Sequence, residues 1–331
     1  MKICSLLPSG TEILYALGLG DQIVGVTDLC DFPPEVKEKP IVCRSRIDVD
    51  SMTSQQVEAM MRQILAAGES PYELDGEWLA TNSPDVVLTQ DLCYFCEVDA
   101  QTVGRTVDLM PMPPEVVVLQ PRTLRGILDS ILQVGNACNT SFRAEKLVAA
   151  LEKRRNTIEE RLDGLSQRPR VFSLEGINPL VIGGHWIPDL LRRAGGQLDL
   201  FEPGSPATRI EWQLVTEYEP EKLFIDLCSS DLRRQRAEVS WLASQAGWKD
   251  IPAVRSGEVY LIDHVYFSVP GPRIIKGLEI LAQLTHPDKF AGLIPPETVL
   301  KLDATKAAMS APEDIGDCFL PWPGGGLQVD R

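Results

Sequence analysis

Short apolar runs alternate with amphipathic stretches along this chain, and the alternation predicts strands separated by helices. Lys2 to Leu6 reads as a strand. Ser9-Gly10-Thr11-Glu12 then has capping-box spacing ahead of Ile13, Leu14, Ala16 and Leu17, with Gly18 and Gly20 as stop signals. Gln22 to Thr27, Asp85 to Thr89 and Val116 to Leu119 are further runs of the buried-strand type, and Ser54 to Ala67 is helix-like. From Ser141 to Leu165 the pattern changes: Leu147, Leu151, Ile158, Leu162 and Leu165 recur at helical spacings with no Gly or Pro before Gly164. One stiff helix of roughly 35 Å is predicted there, with Arg155 and Glu159 paired on its solvated face. After Pro169 the pattern restarts at Arg170 to Leu174, Leu180 to Ile182, a helix from Ile187 to Ala194, Leu223 to Ile225 and Val259 to Ile262. A last helix, Pro272 to Leu284, precedes a Pro/Gly-rich tail expected to have little regular structure.

The expected organisation is an N-terminal α/β lobe (1–140), a rigid linker helix (141–166), a C-terminal α/β lobe (167–290) that mirrors the first, and an extension (291–331). A length of 331 residues suits two domains. With 44% hydrophobic and 24% charged residues, wholesale disorder is excluded, and no apolar run approaches the roughly 18 residues of a membrane span. The eight cysteines are scattered with one close pair, which suits a reducing compartment better than a disulfide framework. The opening residues lack the features of a secretory signal, so the expected location is the cytoplasm, or the periplasm or cell surface if a leader has been trimmed away.

A net charge of −15 argues against nucleic acid as a partner. Residues 1–140 hold 9 Lys/Arg against 20 Asp/Glu, so most of the negative charge lies in the first lobe. No G-x-S-x-G, Walker loop or strand-linked G-x-G-x-x-G is present, and no nucleophile–base pair stands out.

Four segments carry a resemblance: Leu6-Leu7-Pro8-Ser9-Gly10-Thr11-Glu12 running into Ala16-Leu17-Gly18; Ser83-Pro84-Asp85-Val86-Val87; Gly183-Gly184-His185-Trp186 with Ala194-Gly195-Gly196; and Tyr266-Phe267-Ser268-Val269-Pro270-Gly271-Pro272-Arg273. Together with two α/β halves and one long helix, they resemble the cobalamin, haem and siderophore-binding proteins of ABC importers. The DLCYFC and GGHW segments are similar to the signal-less, cobalamin-binding branch of that class. The resemblance spans about residues 1 to 290. It implies two Rossmann-like lobes joined by one long helix, a non-catalytic protein, and a large ligand such as cobalamin or another corrinoid held in a cleft between lobes. It also implies a permease and an ATPase as partners, docked through one exposed glutamate per lobe. The matching positions are Glu77 and Glu211, each in a Glu-Trp pair before a helix and a strand.

In open α/β sheets ligands meet the loops at the carboxyl ends of strands. That rule selects Gln90, Asp91, Cys93, Tyr94 and Phe95 on one arm, His185 and Trp186 on a second, and Tyr266 and Phe267, with Arg273 beyond, on a third. The rings would give flat apolar walls, while Gln90, Asp91 and Arg273 would address a polar periphery. His185 is expected to coordinate a metal centre in the ligand or hydrogen-bond to it; His286 reads as a turn residue. Cys93-x-x-Cys96 admits a second reading, a metal or redox site completed by His185 and by Cys30 or Cys43, which would make the chain a metal-dependent enzyme or metallochaperone. A scaffold that has exchanged its ligand is a third.

Overall fold

The computed structural model describes residues 1–49, 51–92 and 98–323. Contacts divide the chain into two units: Met1–Met52, Gln56–Lys153 and Val269–Pro272 form the first, and Thr53–Gln55, Arg154–Ser268 and Arg273–Arg331 the second.

The first unit runs β1 (Ile3–Ser5), α1 (Pro8–Ala16), β2 (Ile23–Thr27), β3 (Ile41–Ser45), α2 (Ser54–Ala66), β4 (Tyr72–Leu74), α3 (Gly76–Asn82), β5 (Val86–Gln90), α4 (Ala100–Val107), β6 (Glu115–Leu119) and α5 (Leu124–Ala137). Its sheet has the order β4-β3-β2-β1-β5-β6, parallel except for β4. Two interior strands, β1 and β5, are buried along their whole length, which is why they read as largely apolar runs. Helix α1 departs from the expected capping box. Its N-cap is Leu7, which makes no side-chain cap, and Ser9 and Glu12 are buried inside the helix. Pro8, which has no N–H to satisfy, occupies the first turn instead. Helix α5, capped by Thr123 through the Gly126 N–H, was not among the predicted elements.

Helix α6 (Ser141–Arg161) leads from the first unit into the second, ending four residues earlier than expected as the chain turns through Gly164 at φ 70°. The expected Arg155–Glu159 pair is present at 3.9 Å, and Arg193 also reaches Glu159.

The second unit continues with β7 (Val171–Ile177), β8 (Leu180–Ile182), α7 (Ile187–Arg193), β9 (Thr208–Arg209), α8 (Trp212–Tyr218), β10 (Lys222–Ile225), α9 (Leu232–Ala243), α10 (Pro252–Ser256), β11 (Val259–Ile262), α11 (Ile274–Thr285), β12 (Val299–Leu302), α12 (Ala304–Met309) and β13 (Phe319–Pro321). The sheet order is β13-β12-β11-β10-β7-β8-β9. Only β7, β10 and β11 are parallel; β8 and β9 on one side, and β12 and β13 on the other, are antiparallel. The second sheet is therefore not a copy of the first. Two residues, Asn178 and Pro179, separate β7 from β8, too few for a parallel crossover, so the chain folds back as a hairpin.

The residues beyond 291 also differ from expectation. Instead of little regular structure, they supply β12, α12 and β13. Leu300, Leu302, Ile315, Cys318 and Phe319 join the core that holds Phe172, Ile225 and Leu261.

One local pattern does recur in both units. Helix α3 ends at Ser83 with φ 46°, followed by Pro84 and β5; helix α8 ends at Glu219 with φ 50°, followed by Pro220 and β10. A left-handed stop and a proline terminate both helices and start both strands.

Candidate functional site

In the first unit, Gln90 is the last residue of β5 and is 5% exposed, so it belongs to the strand rather than to a loop. Asp91 follows it on the surface, and its Oδ2 accepts a hydrogen bond from Gln120 Nε2 at 3.0 Å. Gln120 stands immediately after β6 and was missed in the sequence, although the strand-end rule that selected Asp91 applies equally to it. Thr89 Oγ1 donates to the Val98 carbonyl at 2.9 Å. Cys93, Tyr94, Phe95 and Cys96 lie outside the described residues.

The other thiols considered for a metal site are both buried. Cys43 is fully buried, and burial, with Asp28 adding to it, pushes its thiol up to about 12. Cys30 is buried beside Thr11 Oγ1, with Sγ at 3.1 Å. Among the described residues no group of three or more His, Cys, Asp or Glu side chains is placed to hold a metal ion.

In the second unit His185 and Trp186 follow a strand that is antiparallel to its neighbour. Because β8 runs against β7, its carboxyl end returns alongside the middle of β7, where the Gly183 N–H donates to the Ser173 carbonyl at 3.1 Å. The Gly183–Trp186 loop is then fixed by its own chain. His185 N–H donates to the Ser205 carbonyl at 2.6 Å, and its carbonyl accepts from Gly204 at 2.8 Å. A Cβ on Gly184 would stand 2.1 Å from Ala207 N, so the glycine is required by the neighbouring segment. His185 itself holds φ 53°, a left-handed backbone that few non-glycine residues adopt.

Trp186 is 8% exposed, and its Nε1 donates to the Phe267 carbonyl at 2.7 Å. This bond joins the second and third arms. Phe267 is 3% exposed, so both rings back the site, while the half-buried His185 and Tyr266 present more of their surface. Burial raises the Tyr266 hydroxyl above its ordinary range; Asp263 adds to that shift, and Arg273 opposes it. Tyr266 and Arg273 are thus close enough to interact. A close backbone approach at Gly277, whose Cβ would meet the Tyr266 oxygen at 2.4 Å, seats the third arm on α11.

Glu77 lies in the first turn of α3 and Glu211 is the N-cap of α8; both are exposed. Trp78 packs on the first unit's core, and Trp212 on the second's.

Residues 3–266 match the family described as periplasmic binding protein. The chain belongs to that family. Its members are substrate-binding proteins of ABC transporters, so the activity is binding rather than turnover, and the enzyme alternative falls. One relative, an uncharacterized ABC transporter substrate-binding lipoprotein (YvrC) of Bacillus subtilis, is 26% identical over 87% of this chain and 81% of its own length. A vitamin B12-binding protein of Vibrio parahaemolyticus is 21% identical over 84% of this chain and 86% of its own. Among solved structures, the periplasmic heme-binding protein RhuT of Roseiflexus superposes with a TM-score of 0.65 at 20% identity, covering 87% of this chain and 99% of that one. The periplasmic vitamin B12-binding protein BtuF of Vibrio cholerae does so at 0.62 and 19%, covering 86% and 96%. These likenesses establish the two-unit α/β fold. They also overturn the cytoplasmic expectation: the family is periplasmic, and one relative is a lipoprotein. Among the described residues no helix is long and apolar enough to cross a membrane.

Proposed function

We propose that this chain captures a corrinoid, with cobalamin the best fit, and delivers it to an ABC importer. The observation that carries the reading is the pre-set His185–Trp186 loop. A histidine is held in a left-handed conformation beside an indole whose N–H is already spent on Phe267. A glycine would adopt that backbone at lower cost, so the imidazole is retained for what it touches. Such a nitrogen donor suits a ligand with a metal centre at its heart.

Charge supports the choice of ligand. The second unit's candidates His185, Trp186, Tyr266 and Phe267 are accompanied by one guanidinium, Arg273, and by no carboxylate. That near-neutral set fits an amide-fringed macrocycle better than a polyanionic ferric siderophore, which calls for an excess of cations. The vitamin B12-binding relatives, aligned along most of their length, favour the same ligand. Gln90, Asp91, Cys93, Tyr94 and Phe95 of the first unit are proposed as further ligand contacts. Glu77 and Glu211, exposed at equivalent helix starts, are the proposed contacts for arginines of a permease acting with an ATPase.

The test is retention of colour: purified protein incubated with cyanocobalamin should carry the absorbance through gel filtration, and His185→Ala should weaken retention. Retention of haem or a ferric siderophore in its place would reassign the ligand. Failure of all three would defeat the reading.

A further inference from the structure

Strand β11 ends at Ile262, and the arm that carries Tyr266 and Phe267 begins at Asp263. The peptide unit joining them has both polar atoms held, and in a trans peptide these point in opposite directions. The Ile262 carbonyl accepts from Gln235 Nε2 at 2.9 Å, and the Asp263 N–H donates to the Thr298 carbonyl at 2.9 Å. The two partners come from different parts of the second unit. Gln235 lies on α9, is 0% exposed, and shares the same Nε2 with the Ser230 carbonyl at 3.0 Å, which ties the chain after β10 to the end of β11. Thr298 lies just before β12, beyond the family match that ends at residue 266. The segment leading to it is pinned by Gln283 of α11, whose Oε1 accepts from the N–H groups of Leu293 at 2.7 Å and Ile294 at 3.2 Å.

Beyond the clamp, the arm closes on itself. The His264 carbonyl accepts from Phe267 and Ser268, and the Asp263 side chain accepts from the Val265 N–H. Its tip meets Trp186 through the Phe267 carbonyl. A short arm fixed at base and tip transmits any displacement of its base to its tip.

We infer that Gln235 and the 293–298 segment are positioning elements of the binding site: they clamp the Ile262–Asp263 peptide and so set where Tyr266, Phe267 and the Trp186 indole stand. This rests on the ligand-binding reading above for its purpose, but the clamp itself can be tested without ligand. Gln235→Met removes both donated hydrogen bonds at similar volume; Gln235 Oε1 has no partner among the described residues, so no bond is lost from that atom.

The experiment is NMR of protein labelled with 15N-tryptophan, with the Trp186 indole signal assigned by its absence in Trp186→Phe. The Trp212 indole, which donates to the Ala246 carbonyl at 2.8 Å elsewhere in the same unit, serves as the control. Gln235→Met should shift the Trp186 signal and leave that of Trp212 in place; Gln283→Leu, which releases the 293–294 segment, should do the same. Where cyanocobalamin binds, each variant should bind it roughly tenfold more weakly. An unmoved Trp186 signal in both variants would overturn the inference, as would equal movement of both indoles, which marks general loosening. Should Gln235→Met fail to fold, Gln283→Leu decides the matter. Variants that show the expected shifts, with wild-type protein that binds no cyanocobalamin, would keep the clamp and sink only the ligand assignment.

Discussion

The Trp186 indole N–H donates to the carbonyl of Phe267, 81 residues away in sequence, at 2.7 Å, and both residues are buried. Arms that leave two different strands are thereby tied into one surface. Replacing Trp186 with Phe leaves the Phe267 carbonyl buried without its donor, so the variant should lose about 1–3 kcal/mol of stability in urea unfolding followed by circular dichroism. Stability within about 0.3 kcal/mol of wild type would mean that the bond contributes nothing to the fold.

Gly184 is the position in the same loop with the least room. A methyl group there would collide with the backbone of Ala207, and backbone, unlike a side-chain tip, has nowhere to move. Gly184→Ala should cost about 1–3 kcal/mol by thermal or chemical denaturation and displace His185, weakening ligand capture in parallel. An Ala variant with full stability would show that the 205–207 segment gives way freely.

Asp226, at the end of β10, is 4% exposed; burial, with Cys228 adding to it and the Ser173 hydroxyl partly offsetting it, raises its carboxyl to about 8. The folded state therefore binds a proton that the unfolded chain, with a carboxyl near 4, releases. This contribution to stability is complete below pH 4 and is lost as pH rises toward 8. Asp226→Asn should remove that dependence. The stability difference between variant and wild type should move in the variant's favour by on the order of 1.4 kcal/mol per pH unit between about pH 5 and 7, and be flat below pH 4. Parallel stability–pH curves for the two proteins would refute a buried neutral Asp226.

Glu258 shows the opposite shift. Burial works against its ionisation, but hydrogen bonds from Lys222, Lys301 and Tyr260 outweigh it and hold the carboxyl at about 2. Lys222 begins β10, and Lys301 lies in β12, so one carboxylate ties the antiparallel strand β12 to the parallel core. Its contribution is present above pH 4.5 and is lost as pH falls through about 2. Glu258→Gln should cost about 1–3 kcal/mol at pH 7, with the deficit shrinking toward pH 2. A deficit that stays constant with pH would exclude the ion cluster as its source.

His286 opens the turn that the local pattern predicts, its carbonyl accepting from the Lys289 N–H at 3.0 Å, but its side chain has a role the pattern does not show. Read as a turn residue, it is 8% exposed at the end of α11, with Nε2 3.1 Å from the Gly195 carbonyl. A turn-like His-Pro-Asp triplet says nothing about a partner 91 residues earlier.

What the amino-acid order determined alone was burial and periodicity. The largely apolar runs of β1, β5, β7, β10 and β11, the long uninterrupted repeat of α6 and the paired Glu-Trp starts of α3 and α8 are local properties, written in neighbouring residues. Direction and partnership were decided only in three dimensions. An apolar triplet such as Leu180–Ile182 has the same pattern in either orientation; the length of the connection before it turned β8 antiparallel. The β11–β12 pairing, the Gln120–Asp91 contact, the Gln235 clamp and the Trp186–Phe267 bond join residues between 27 and 81 positions apart. Asp91 and Gln120 meet on the surface, but the Gln235 clamp and the Trp186–Phe267 bond are stabilised by burying polar groups together, a term that exists only once the core has closed around them.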